Sequence, residues 1–194
     1  MEGLDDLVSL VSPPDSIRIV VDWDAVESDL GTRLPKDYKA VIDTYGPGTF
    51  DDFLSVFQPV TPFLTIELAY QSRRSAEILN YLQDQAHEFI PFALADLLAV
   101  ACTDNGDTIY WVKEPSDEPD SWTITGNAAR NTTWPCFSGG LAAFLYEVLS
   151  SRLRYPIFPD DFPGQQPRFT PQGRPDPRRV AGLREQGLYR DRDR

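Results

Sequence analysis

For catalysis this chain offers thirty acidic side chains, one histidine and two cysteines. A Ser-His-Asp or Cys-His centre would have to use His87, in the polar run Gln83-Asp84-Gln85-Ala86-His87-Glu88. No nucleophile-elbow pattern accompanies it, so His87 reads as a surface side chain. Cys102 and Cys136 lack Cys-x-x-Cys spacing, and their apolar surroundings predict two buried reduced thiols rather than a disulfide or a metal site. Asp104-Asn105-Gly106-Asp107 begins like a calcium loop but lacks the later ligands and the closing glutamate. It reads as a hairpin turn. Gly46-Pro47-Gly48 precedes a predicted strand rather than a helix, so its amides are not aimed at an anion as in a phosphate loop. With so many acids some carboxylate pair is inevitable, and paired-carboxylate catalysis gains no specific support. The residues assign no catalytic group, no metal site and no cofactor.

Position singles out a few acids. Glu27 lies four residues after Trp23 and three before Leu30, on or beside their apolar face. A partly buried carboxylate there needs partners. It either contacts a ligand or partner in a cleft, or accepts backbone N–H groups where the next helix begins. Asp51 and Asp52 interrupt an aromatic run with adjacent charges, so at least one must point outward. Glu114, Asp117, Glu118 and Asp120 form an acidic loop between two predicted strands. With Trp122 and Trp134, which lie near loops, these acids are candidate contacts for a protein partner; the alternative is a solvated charged rim.

The overall charge of −12 is unevenly spread. Residues 164–194 hold eight arginines and four acids, a net +4, so the preceding 163 residues carry −16. Such a body repels nucleic acid and anionic membrane and speeds encounter with basic partners.

The elements that must position these residues follow from pattern. Leu4, Leu7, Val8 and Val11 suggest a short first helix, and Ile17 to Val21 a β-prone run. Asp22 or Asp24 can cap a second helix carrying Trp23, Val26 and Leu30 on one face. Gly31 is its expected left-handed end. Pro35 suits the first position of a third helix, where Leu34, Tyr38, Val41, Ile42 and Tyr45 form an apolar stripe and Gly46 stops the run. Phe50 to Phe57 reads as one strand. Residues 66–84 read as a helix with Ile78, Leu79 and Leu82 inward. Strands are expected at Leu97–Thr103, Thr108–Lys113 and Trp122–Thr125, the first two joined by the Asn-Gly hairpin turn. Leu141, Phe144, Leu145, Val148 and Leu149 mark a last amphipathic helix capped by Ser138. After Pro163, Gly, Gln, Pro and Arg dominate. Residues 1–163 therefore read as the domain, and 164–194 as a disordered tail with a weak helical patch around Val180 to Tyr189.

The ordered set Trp23, Glu27, Leu30-Gly31, Leu34-Pro35, Tyr38 and Tyr45-Gly46 resembles the SUKH superfamily of the Smi/Knr type. Pro91-Phe92-Ala93, the Asp-Asn-Gly-Asp turn, Trp111, the strand at Trp122, and Phe137 leading into Phe144-Leu145 are similar to that family's second half. The resemblance covers residues 17–152; the insert at 66–88 is longer than the minimal pattern. It implies an α+β fold with a curved, mostly antiparallel or mixed sheet flanked by helices. It also implies a binding protein rather than an enzyme. Many bacterial members are immunity proteins that neutralise toxins, often nucleases, and fungal members are regulatory and interaction proteins. The expected partner is then a basic toxin domain bound stoichiometrically; the alternative is an endogenous partner of a regulatory scaffold or adaptor. No direct nucleic-acid or membrane binding is expected. The acidic start, unlike a signal peptide, and the lack of a long apolar run lead to an expectation of cytoplasmic residence. The sequence leaves the oligomeric state open.

Overall fold

Two neighbouring residues divide the molecule into its layers. Tyr110 and Trp111 are consecutive on one strand, so their rings point to opposite faces of the sheet. The computed structural model describes residues 3–15, 19–128, 133–173 and 177–187. Its helices are α1 (Leu4–Leu10), α2 (Trp23–Leu30), α3 (Lys36–Tyr45), α4 (Leu68–Asp84), α5 (Leu141–Leu149) and α6 (Pro177–Glu185). Its strands are β1 (Gly48–Phe50), β2 (Leu54–Val56), β3 (Leu97–Thr103), β4 (Thr108–Val112), β5 (Thr123–Asn127), β6 (Cys136–Phe137) and β7 (Phe169–Pro171). The described strands form one open antiparallel sheet in the order β6-β5-β4-β3-β2-β1-β7. The fold is therefore α+β.

On one face Trp111 is fully buried, edge-on to Tyr38 of α3 with ring centroids 5.0 Å apart. The helices α1, α3 and α5 pack together on this side. The Tyr38 hydroxyl donates to Phe57 O at 2.8 Å, which ties α3 to the end of β2. On the other face Tyr110 meets Trp134 and Ser75 of α4, and burial pushes its phenol up to about 12. Fully burying each such large apolar side chain contributes roughly 1.5–3 kcal/mol.

The expected elements hold in the main, with instructive exceptions. The run Phe50 to Phe57 is a hairpin, because Asp51 and Asp52 both take left-handed backbone (φ 50° and 52°) and reverse the chain. Aspartate tolerates that region better than most residues. Ile78 is 47% exposed rather than inward; Leu68, Ser75 and Leu79 make the buried side of α4. The cap of α2 is Asp22, which accepts from Ala25 N. Pro35 sits one position outside α3 rather than within its first turn. Cys136 is exposed on the two-residue strand β6, against the expectation of a buried thiol. Cys102 is half-buried, and burial raises its thiol to about 11.

The segment from 164 departs furthest from expectation. Phe169–Pro171 pairs with β1 as an edge strand, and Val180 of α6 is buried. One aromatic side chain explains the strand: the Phe169 ring lies 4.9 Å from that of Phe50 and 5.2 Å from that of Tyr45. Polar, proline-rich composition hides such a single anchor. Ile17, Arg18 and residues 188–194 lie outside the described residues.

Candidate functional site

The corner between α2 and α3 shows how Glu27 is used. Gly31 is left-handed (φ 67°) and ends α2, as a residue without Cβ does without strain. The chain returns so that Leu34 N donates to Glu27 Oε1 at 2.7 Å, and Lys39 Nζ reaches the same oxygen at 2.6 Å. Burial raises the Glu27 carboxyl, but the Lys39 and Leu34 hydrogen bonds outweigh it and hold the group below its usual value. Lys39 also lies 5.4 Å from the centroid of the half-buried Trp23 ring, which is edge-on to Tyr38. Val26 and Leu30 complete the half-buried face of α2. Leu34, Tyr38 and Tyr45 are buried beneath, and the Tyr45 hydroxyl donates to Val11 O. Gly46 ends α3. Glu27 does not line either of two surface hollows among the described residues, of about 890 and 660 Å³.

The acidic loop packs against the same corner. Asp120 accepts from Lys36 N at 2.8 Å and pairs with Lys36 Nζ, and these contacts lower its carboxyl below the usual range. It thereby caps α3 from a distance of 84 residues along the chain. Arg33 donates to the Asp117 carbonyl. Glu114, Asp117 and Glu118 remain exposed. Trp122, expected at a partner surface, is only 2% exposed: its ring packs on Trp111 and its Nε1 donates to Pro115 O. Trp134 is half-buried between Phe92 and Tyr110. Trp122 therefore presents no open face to a partner, while Trp134 keeps part of its surface in solvent.

Asp51 and Asp52 do not join that loop in one patch. They follow the β1 residue Phe50, which sits near the Thr103 end of β3, whereas the acidic loop leaves β4 near the Leu97 end. Six residue steps along β3 separate those ends, about 20 Å. Both aspartates are also engaged within the chain. Asp51 Oδ2 accepts from Gly164 N at 2.6 Å. Asp52 accepts from Thr170 Oγ1 at 2.7 Å and pairs with Arg168 at 3.0 Å, contacts that lower its carboxyl.

Asp37 was not among the acids singled out by position. It is largely buried and joins α3 to α5, accepting from Tyr38 N at 2.7 Å and Ala142 N at 2.9 Å. Burial raises its carboxyl despite those bonds. It supplies the cap expected of Ser138, because the residue that precedes α5, Gly140, has no side chain to cap it.

The most exposed large apolar side chains among the described residues lie on and just after α4. Tyr81 is 63% exposed, Phe89 78% and Ile78 47%, more than the other exposed large hydrophobics, Val20 and Leu64. Ile78 and Tyr81 are three apart on the helix and share a side. The carbonyls of Tyr81 and Leu82 accept amides from residues 85, 86 and 88, and His87 is left-handed (φ 53°). That turn brings Phe89 back beside the end of α4. Glu77, Asp84 and Glu88 are near these residues along the chain, with Arg73 and Arg74 one turn earlier; all five are exposed. The sequence signal was a second apolar pair on the helix, Ile78 with Tyr81, masked by the neighbouring Leu79 and Leu82.

Among the described residues no helix is long and apolar enough to cross a membrane. The model of the SMI1/KNR4 family (SUKH-1) matches residues 20–142, from just before α2 into the start of α5. No curated protein matches the chain.

Proposed function

The chain belongs to the SMI1/KNR4 family (SUKH-1), and from that premise we propose that it neutralises a toxin by binding it in a stoichiometric complex. The partner is a basic protein domain such as a nuclease, met in the cytoplasm. This function is binding without chemistry. One observation carries the reading: Ile78, Tyr81 and Phe89 stand exposed on and just after α4, with the acids Glu77, Asp84 and Glu88 near them along the chain, on a protein of net −12. Exposed aromatics with a charged rim are the makings of a hot spot, and the surrounding charge speeds capture of a basic partner. The acids of the α2–α3 corner and of the β1–β2 turn are spent within the fold.

The test is co-expression with the product of the adjacent gene. Rescue of growth, together with a one-to-one complex by light scattering, supports the proposal. Tyr81→Ala with Phe89→Ala should weaken both while leaving the melting temperature unchanged. A complex with an endogenous protein and no rescue from any toxin would favour a regulatory scaffold instead.

A further inference from the structure

We infer that the outer edge of β1 is a docking site for an extended partner segment carrying arginine, an aromatic and a hydroxyl residue in succession, and that residues 168–170 of this chain occupy it in cis. The surface is separate from α4, and the inference does not rest on toxin neutralisation.

The edge reads side chains on both of its sides. Phe169, Thr170 and Pro171 pair with Phe50, Thr49 and Gly48. Phe169 turns inward onto Phe50 and Tyr45. A Cβ at Gly48 would meet its ring at 2.2 Å and the Thr170 carbonyl at 2.6 Å. The slot is therefore cut to an aromatic ring by the absence of a side chain. Arg168 and Thr170 alternate to the other side, where both converge on Asp52. Asp51 N donates to Arg168 O at 2.7 Å, and Gln172 N to Pro47 O at 3.0 Å. This is strand addition to a sheet edge, with main-chain bonds for affinity and alternate side chains for selectivity.

The segment holds the edge lightly. Phe169 is only half-buried, and its neighbours Arg168, Thr170 and Pro171 are exposed. The Arg168–Asp52 pair is solvated, with side chains 75% and 57% exposed, so salt screens it. Proline at 167 and 171 keeps the segment extended and prevents a long exposed edge beyond it. A tethered segment of this kind competes through an effective concentration on the order of millimolar, and a better-matched strand displaces it.

The probe is a fluorescein-labelled peptide of residues 164–173, titrated by anisotropy into the full-length chain. In the full-length Arg168→Ala/Phe169→Ala variant the edge is open, and the peptide should bind at least about tenfold tighter than to the wild type. Adding Gly48→Ala to that variant should abolish binding, because the new methyl fills the ring slot. If the double variant melts early, full-length Asp52→Lys serves instead. It should bind a peptide carrying Arg168→Glu and reject the unaltered one. Equal affinity for wild type and open variant, indifference to Gly48→Ala, failure of the charge swap, or no saturable binding to either open variant would each overturn the proposal.

Discussion

Replacing Glu27 by alanine tests the corner on which the first half of the domain turns. The side chain is 15% exposed and holds two donors through one oxygen, Leu34 N at 2.7 Å and Lys39 Nζ at 2.6 Å. Removing it leaves a part-buried amide unpaired, which costs about 1–3 kcal/mol. The lost ion pair with the more exposed Lys39 adds at most about 1 kcal/mol. A net loss near 2 kcal/mol lowers the midpoint of a chain this size by roughly 4–8 °C. Glu27→Gln keeps an acceptor for Leu34 N and should lose less than half of that. The pH dependence carries a sign. The folded carboxyl lies below its ordinary value of 4.5, so the stabilisation is complete above that value and is lost as pH falls through the folded pKa. The gap between wild type and Glu27→Ala should therefore be widest near neutrality and close in acid. Thermal melts followed by circular dichroism between pH 3 and 7 measure it. An unchanged midpoint with lost partner binding would refute the structural role and make Glu27 a contact residue.

Asp37 should show the opposite trend. Burial raises its carboxyl, so the wild type gains stability from this group as pH falls through the folded pKa. Asp37→Ala, which orphans the Tyr38 and Ala142 amides, should cost about 1–3 kcal/mol, and its deficit should widen on mild acidification in the same melts. Phe169→Ala should cost about 1–2 kcal/mol in denaturant titration, because the ring is half-buried. It should leave the β3–β4 amides protected in hydrogen exchange. Asp117→Lys with Glu118→Lys should slow association with a basic partner and barely move the melting midpoint, since both side chains are exposed. Asp120→Lys should instead destabilise the fold, because it places a cation where Lys36 and the α3 amide need an anion.

Local chemistry made much of the fold legible. The Asn-Gly turn, the strands on either side of it, the left-handed Gly31 and the stripe of α5 are each written in a few adjacent residues. What escaped was non-local. Asp120 reads as a candidate partner contact and Asp37 carries no signal until the fold sets them at helix ends 84 and 105 residues away. The doublet at Asp51 and Asp52 read as an outward charge in a strand, although two left-handed residues make a turn. Strand β7 depends on one phenylalanine in a stretch whose composition says coil. Trp122 lies next to a polar loop in the sequence, which suggests a peripheral position, yet its ring reaches back to Trp111. The candidate surface was hidden for a different reason: one turn of α4 carries inward and outward apolar residues side by side, and periodicity alone assigned Ile78 to the wrong side.

The central claim is that a basic protein partner is captured by the acidic body and held by the apolar face of α4. The most direct measurement is surface plasmon resonance with the partner captured by the co-expression test, across a salt series, comparing wild type with Tyr81→Ala/Phe89→Ala. Association should slow markedly as salt rises, because exposed charges are screened beyond about 8 Å at physiological ionic strength. The double variant should keep its on-rate and dissociate at least about tenfold faster, as loss of an aromatic hot spot requires. An on-rate indifferent to salt, together with a dissociation rate unchanged by losing both rings, would contradict the account.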